Sequence, residues 1–171
     1  TGSSKLVELT SDGKSQETSM KIDFRQQGSE GRLYLSANKV SESIRCQSSL
    51  ARNIPLTLNI KSAASNLELN LSQLQVTELR LDINAGNCRV TMPFSPGATP
   101  AYIKANVANI EVIVPDGIAA KVQANTNLSI FNINEGRFPG KGSNYMSRDF
   151  ESAKKQLNLV IDGNISRVQV D

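Results

Sequence analysis

The sequence contains no histidine and no tryptophan, and its aromatic residues are limited to three tyrosines and five phenylalanines. Without histidine, the commonest general base and the commonest neutral metal ligand are both missing. Ser-His-Asp and Cys-His catalysis are excluded, as is any histidine-ligated zinc or haem site. Two cysteines, Cys46 and Cys88, are too few for a disulfide scaffold. Cys88 stands in Asn87-Cys88-Arg89-Val90, where related segments of the chain carry leucine or isoleucine, and it reads as a small buried apolar residue. No run approaches the ~18 consecutive apolar residues of a membrane-spanning helix. The opening Thr1-Gly2-Ser3-Ser4-Lys5 lacks the hydrophobic stretch of a signal peptide, a polar start that suits a piece of a longer protein. A large excess of one charge is lacking too. Nineteen Lys plus Arg against sixteen Asp plus Glu give +3, too little for a nucleic-acid footprint unless clustered. Nor are aromatic and basic residues interleaved as in single-strand binders, so nucleic acid is not an expected partner.

What is present is aliphatic and amide-rich: 16 Leu, 13 Ile and 11 Val, with 20 Ser and 16 Asn. At 171 residues this composition supports one packed, β-rich domain spanning 1–171. Five segments share one pattern, two alternating apolar runs around a polar corner: Leu56–Leu71, Leu79–Met92, Ala101–Val114, Ala120–Ile133 and Leu157–Val170. The corner asparagines are Asn66, Asn87, Asn109, Asn127 and Asn164, spaced by 21, 22, 18 and 37 residues. The last interval equals one unit plus an insertion. A sixth, degenerate copy is expected at Met20–Leu35, with Gly28 and Gly31 at its corner.

Within each unit the alternation has period two, as in Leu79, Leu81 and Ile83 against Arg80 and Asp82. Half-buried strands have that pattern. Two short strands per ~20 residues match one coil of a β-solenoid, which buries its apolar face only by stacking on neighbours. The expected fold is therefore all-β, a β-solenoid-like stack of about five to six coils. Stacked repeats would occupy 19–135 and 157–170, and 136–156 would be an inserted loop or short helix, with helix expected over Ser147–Gln156. The alternative is an antiparallel β-sandwich, which also yields short alternating strands.

Stacking makes outward residues neighbours along the stack. One predicted column holds Glu68, Arg89 and Glu111. Another holds Asn59, Asp82, Lys104 and Gln123. Equivalent asparagines would form an amide ladder at the corner.

The runs Ile54-Pro55-Leu56-Thr57-Leu58-Asn59-Ile60 and Leu79-Arg80-Leu81-Asp82-Ile83-Asn84-Ala85-Gly86 carry a family resemblance. Val90-Thr91-Met92-Pro93, Val112-Ile113-Val114-Pro115-Asp116-Gly117 and Tyr145-Met146-Ser147-Arg148-Asp149-Phe150-Glu151 add to it. Together they resemble the LiaF-like, or toast-rack, domains of bacterial cell-wall-active antibiotic response proteins, over about residues 15–171. The resemblance implies a regulatory or structural, non-enzymatic role in the envelope-stress response. It also implies tethering to the bacterial membrane through segments absent from this chain, on the extracytoplasmic side. It supplies no catalytic residue, cofactor or metal ligand.

The insertion is the most distinctive irregular stretch. Phe131, Phe138, Tyr145 and Phe150 are half of all the aromatics, and Arg137, Lys141, Arg148, Lys154 and Lys155 outnumber Asp149 and Glu151. Arg137, Phe138, Lys141, Tyr145 and Arg148 form the candidate interaction surface. Two readings apply: an aromatic cap over an open end of the stack, and a contact for anionic lipid headgroups or wall polymers. The expected partner is another protein or a second copy of the chain, with the anionic lipid or polymer as the alternative.

Overall fold

The computed structural model describes residues 7–12, 19–27, 30–38, 45–63, 65–95, 97–164 and 166–171, and no side chain before Ser49 except Arg25. The chain begins with β1 (Val7–Asp12), β2 (Ser19–Gln27), β3 (Glu30–Asn38) and β4 (Arg45–Leu50). The repeats follow as β5 (Pro55–Ser62), β6 (Ser65–Asn70), β7 (Gln75–Thr91), β8 (Gly97–Ile113), β9 (Ala119–Thr126) and β10 (Ile130–Ile133). The insertion carries β11 (Gly140–Lys141), β12 (Asn144–Met146) and one 3-10 turn, Phe150–Ser152, where a short helix was expected. β13 (Lys155–Gly163) and β14 (Arg167–Val170) close the chain.

Parallel pairing of repeat on repeat makes this an all-β, solenoid-like stack. Each unit folds back at its corner, so its first half joins one layer and its second half joins another. The first layer runs β5, β7, β8, β13, β9, and the second runs β6, β7, β8, β14, β10. β7 and β8 are long strands that contribute to both layers. Gly86, at the β7 corner, has φ +115°, a backbone conformation that glycine tolerates best.

The order of coils along the stack is not the order in sequence. β13 lies between β8 and β9, pairing Leu159 with Ala101 on one side and with Val122 on the other. The last coil of the sequence is therefore fourth of five in space. A parallel ladder requires only matching strand direction and face, and the repeat pattern leaves that choice open.

Inward positions alternate as the sequence predicts. Leu79, Leu81 and Ile83 of the first layer and Cys88, Val90 and Met92 of the second join one continuous core. Large and small residues interleave along the stack, as where Ala101 sits between Leu79 and Leu159. Two layers can then approach without voids. Cys88 is a free thiol, 2% exposed, and burial pushes its pKa up from 9.0 to about 11, so it stays neutral and apolar. The side chain of Cys46 lies outside the described residues.

Of the predicted outward columns, Glu68, Arg89 and Glu111 are in register, and Arg89 pairs with Glu111 at 3.1 Å. The second column is corrected. Asp82 does neighbour Lys104, but Asn59 pairs with Arg80, and Gln123 pairs with Val160. The observed column is Lys61, Asp82, Lys104, Asp162 and Asn125, its charges alternating over the first four. Exposed pairs of this kind contribute ~0–1 kcal/mol each, so they fix register more than stability.

Among the described residues, four of the five corner asparagines divide between two ladders, and Asn127 joins neither. Asn87 Nδ2 donates to Asn66 Oδ1 at 2.7 Å, and Asn109 Nδ2 donates to Asn87 Oδ1 at 2.9 Å. Asn164 belongs to the other ladder, donating to Asn106 at 2.9 Å, while Asn106 donates to Asn84 at 2.9 Å. Asn106→Ala removes two of these bonds and should cost about 1–2 kcal/mol. A lower urea midpoint with unchanged slope would register that loss.

Among the described residues, an antiparallel hairpin stands in place of the expected sixth copy. β2 and β3 pair antiparallel, from Ser19 opposite Asn38 to Gln27 opposite Glu30, and Gly31 lies within β3. Positions 28–29 lie outside the described residues. The hairpin joins the first layer through Gly31–Leu33 beside Leu56–Leu58, closing that edge. β1 and β4 form a separate antiparallel pair.

Candidate interaction surface

The far end of the stack, beyond β9 and β10, is built largely by the insertion. β12 pairs antiparallel with β9, Tyr145 opposite Val122, and β11 pairs with β12. This two-strand hairpin covers the edge of the first layer. Gly140 permits the close approach, since a Cβ there would lie 2.6 Å from the Tyr145 Cα.

The sequence-predicted surface residues divide by role. Phe138 is fully buried, at 0% exposure, among the largest side chains of the core. Arg137 sits over its ring, 4.9 Å from the centroid. The Arg137 guanidinium donates to the carbonyls of Val114, Pro115 (2.6 Å) and Ile118 (3.4 Å), and Asp116 lies 3.8 Å away. It thus pins the loop that carries the chain from β8 across the fourth coil to β9. Tyr145 is half-buried; its ring centroid lies 5.5 Å from that of Phe131, and its hydroxyl donates to the Gly142 carbonyl at 3.1 Å. Phe131, Phe138 and Tyr145 all pack on the end of the core. Lys141 and Arg148 are exposed, with no side-chain partner among the described residues.

One feature of this end was not anticipated from the residues. The second layer stops at β10, while the first continues for two more strands. Ile130 N–H donates to Ser166 O at 2.9 Å, and Asn134 N–H donates to Val170 O at 3.0 Å. In a parallel ladder peptide groups alternate sides, so those of Phe131 and Ile133 point away from β14. β14 is the only described strand paired with β10. Leu128, with φ +47°, is 89% exposed at the corner, and Ile130 is 54% exposed. Edge strands are commonly guarded by Lys, Pro or a bulge. From Val122 to Asn134 the chain carries neither charge nor proline, whereas β11 is preceded by Pro139 and contains Lys141. The sequence signal was available as an uncharged strand, but only the pairing pattern shows which side of it is open.

The profile of the family described as the N-terminal domain of toast_rack, DUF2154, matches residues 1–113. No curated protein matches the sequence. A crystal structure of a candidate cell adhesion protein from Clostridium sporogenes ATCC 15579 superposes with a TM-score of 0.83 at 17% identity. The match covers 99% of this chain and 84% of that one, which establishes a shared fold.

Proposed function

Because the chain belongs to the family of toast_rack N-terminal domains, we propose that it is a non-enzymatic contact module of the bacterial cell envelope. In this reading an extended segment of a partner protein joins the second layer along β10. The open edge carries the proposal: peptide groups of Phe131 and Ile133 face outward on a strand without charge or proline. Strand addition supplies affinity through backbone hydrogen bonds and selectivity through alternate side chains. The description of the Clostridium sporogenes neighbour as a candidate adhesion protein supports a role in surface contact. Family membership supports a regulatory or structural setting in the envelope-stress response, with membrane tethering supplied outside this domain.

A second reading rests on Lys141 and Arg148, exposed cations suited to anionic lipid or wall polymer. Pelleting the purified domain with isolated envelope protein, wall material and anionic vesicles separates the two. Ile133→Pro deletes an outward N–H and keeps the Asn134 N–H that bonds Val170 O, although it also removes an isoleucine side chain that packs on the core. It should reduce association with the protein fraction at least about tenfold, with little dependence on salt. Lys141→Glu with Arg148→Glu should leave that association unchanged. The reverse pattern, salt-sensitive binding to vesicles or wall lost in the double variant, would establish the polymer reading instead.

A further inference from the structure

A groove of about 540 Å3 lies elsewhere, on the outer face of the first layer near the corners. Its floor is the end of the outward column Lys104, Asp162, Asn125, and its rim includes Thr126, Asn127 and Ser143 at the tip of the β11–β12 hairpin. That volume falls within the ~300–1,000 Å3 usual for ligand clefts. Some of the groups facing it are already engaged, Asn164 Nδ2 donating to Asn106 and Ser143 Oγ accepting from Asn144, but others are uncommitted. Among described residues, the Lys104 ammonium and the Asn127 amide form no side-chain hydrogen bond or ion pair. Asp162 accepts one bond, from Asn125 Nδ2 at 2.9 Å, which leaves its second oxygen free.

Charge narrows the class of ligand. Lys104 stands between Asp82 and Asp162 in register, so one cation is flanked by two anions and a phosphate or carboxylate gains little there. A metal ion is disfavoured too, since Asp162 is the groove's only carboxylate and Lys104 stands beside it. What remains is an acceptor carboxylate, a donor ammonium, amides that do both and two hydroxyls. Adjacent sugar hydroxyls both donate and accept, and match such a set. We propose that this groove binds a neutral, hydroxyl-rich saccharide, with Asp162 and Lys104 gripping neighbouring hydroxyls and Asn127 completing the contact. The groove is on a different face from the β10 edge, so this inference stands or falls apart from strand addition.

The test is titration of the whole 15N-labelled chain with maltotriose and with triacetylchitotriose, followed by amide shifts. Either sugar should move the amides of Lys104, Asn125, Asn127 and Gly163 in a saturable way, leaving Phe131 and Ile133 unmoved. Lys104→Ala and Asp162→Asn should each weaken binding by at least about tenfold. Their otherwise unchanged spectra would show that they fold, and Asn127→Ala provides a milder third variant. If neither trisaccharide shifts these amides at millimolar concentration, the proposal is overturned. Equal shifts with inorganic phosphate would overturn it as well, since the groove would then be selecting charge.

Discussion

Replacing Phe138 with alanine should lower the unfolding free energy by about 3–5 kcal/mol, measured as a fall in urea midpoint at unchanged slope. The ring has 0% exposure at the end of the core, so truncation leaves a cavity that β12 and the Arg137 turn must either span or collapse into. It also removes the surface beneath the guanidinium that pins Val114, Pro115 and Ile118. Lys141→Ala and Arg148→Ala are the controls, each expected within about 0.5 kcal/mol of the parent. A cost below about 1 kcal/mol at Phe138 would mean that the insertion is a separable loop, contrary to its buried ring.

A chain ending at Ala153 should lose more. That truncation removes β13 and β14, hence Leu157, Leu159, Ile161, Val168 and Val170, each at most 1% exposed. At ~1.5–3 kcal/mol apiece these represent roughly 8–15 kcal/mol of apolar burial, comparable to the whole stability of a domain. β9 pairs with β13 and with the short β12, and β10 pairs with β14, so the truncated chain leaves the fifth coil without its neighbour. Amides of Ala119–Thr126 and Ile130–Ile133 should then exchange as in an unfolded chain, and a peptide of residues 154–171 added in trans should restore part of their protection. Were the coils stacked in sequence order, the same truncation would shorten the stack by one terminal coil and leave β9 protected. Hydrogen exchange distinguishes the two results.

The candidate surface was legible only in part. Clustered aromatics and cations singled out the insertion, because composition records residue types. It does not record partners. Arg137 and Lys141 are both basic residues of one glycine-rich stretch, yet one spends its guanidinium on three carbonyls and the other is exposed without a partner. Phe138 and Tyr145 separate in the same way, one fully buried and the other at the half-covered rim. The asparagine ladders show a related ambiguity. Asn84-Ala85-Gly86-Asn87 and Asn106-Val107-Ala108-Asn109 each offer two asparagines three apart, and only pairing reveals that Asn164 aligns with the first of each.

Legible in the residues were the strands of the five repeats, their inward faces, most of their corners and the opposition of Asp82 to Lys104. Those follow from period-two alternation and from residues suited to tight turns, properties confined to one or two neighbouring units. The order of coils, the hairpins that close the first layer at both ends, the register of Asn164 and the open edge of β10 emerge only in the folded chain. All five units satisfy the same ladder geometry, so no local signal ranks one neighbour above another. The choice is made by contacts distant in sequence: Ala101 beneath Leu159, Val122 against Leu159, and Arg137 holding the loop that crosses between them.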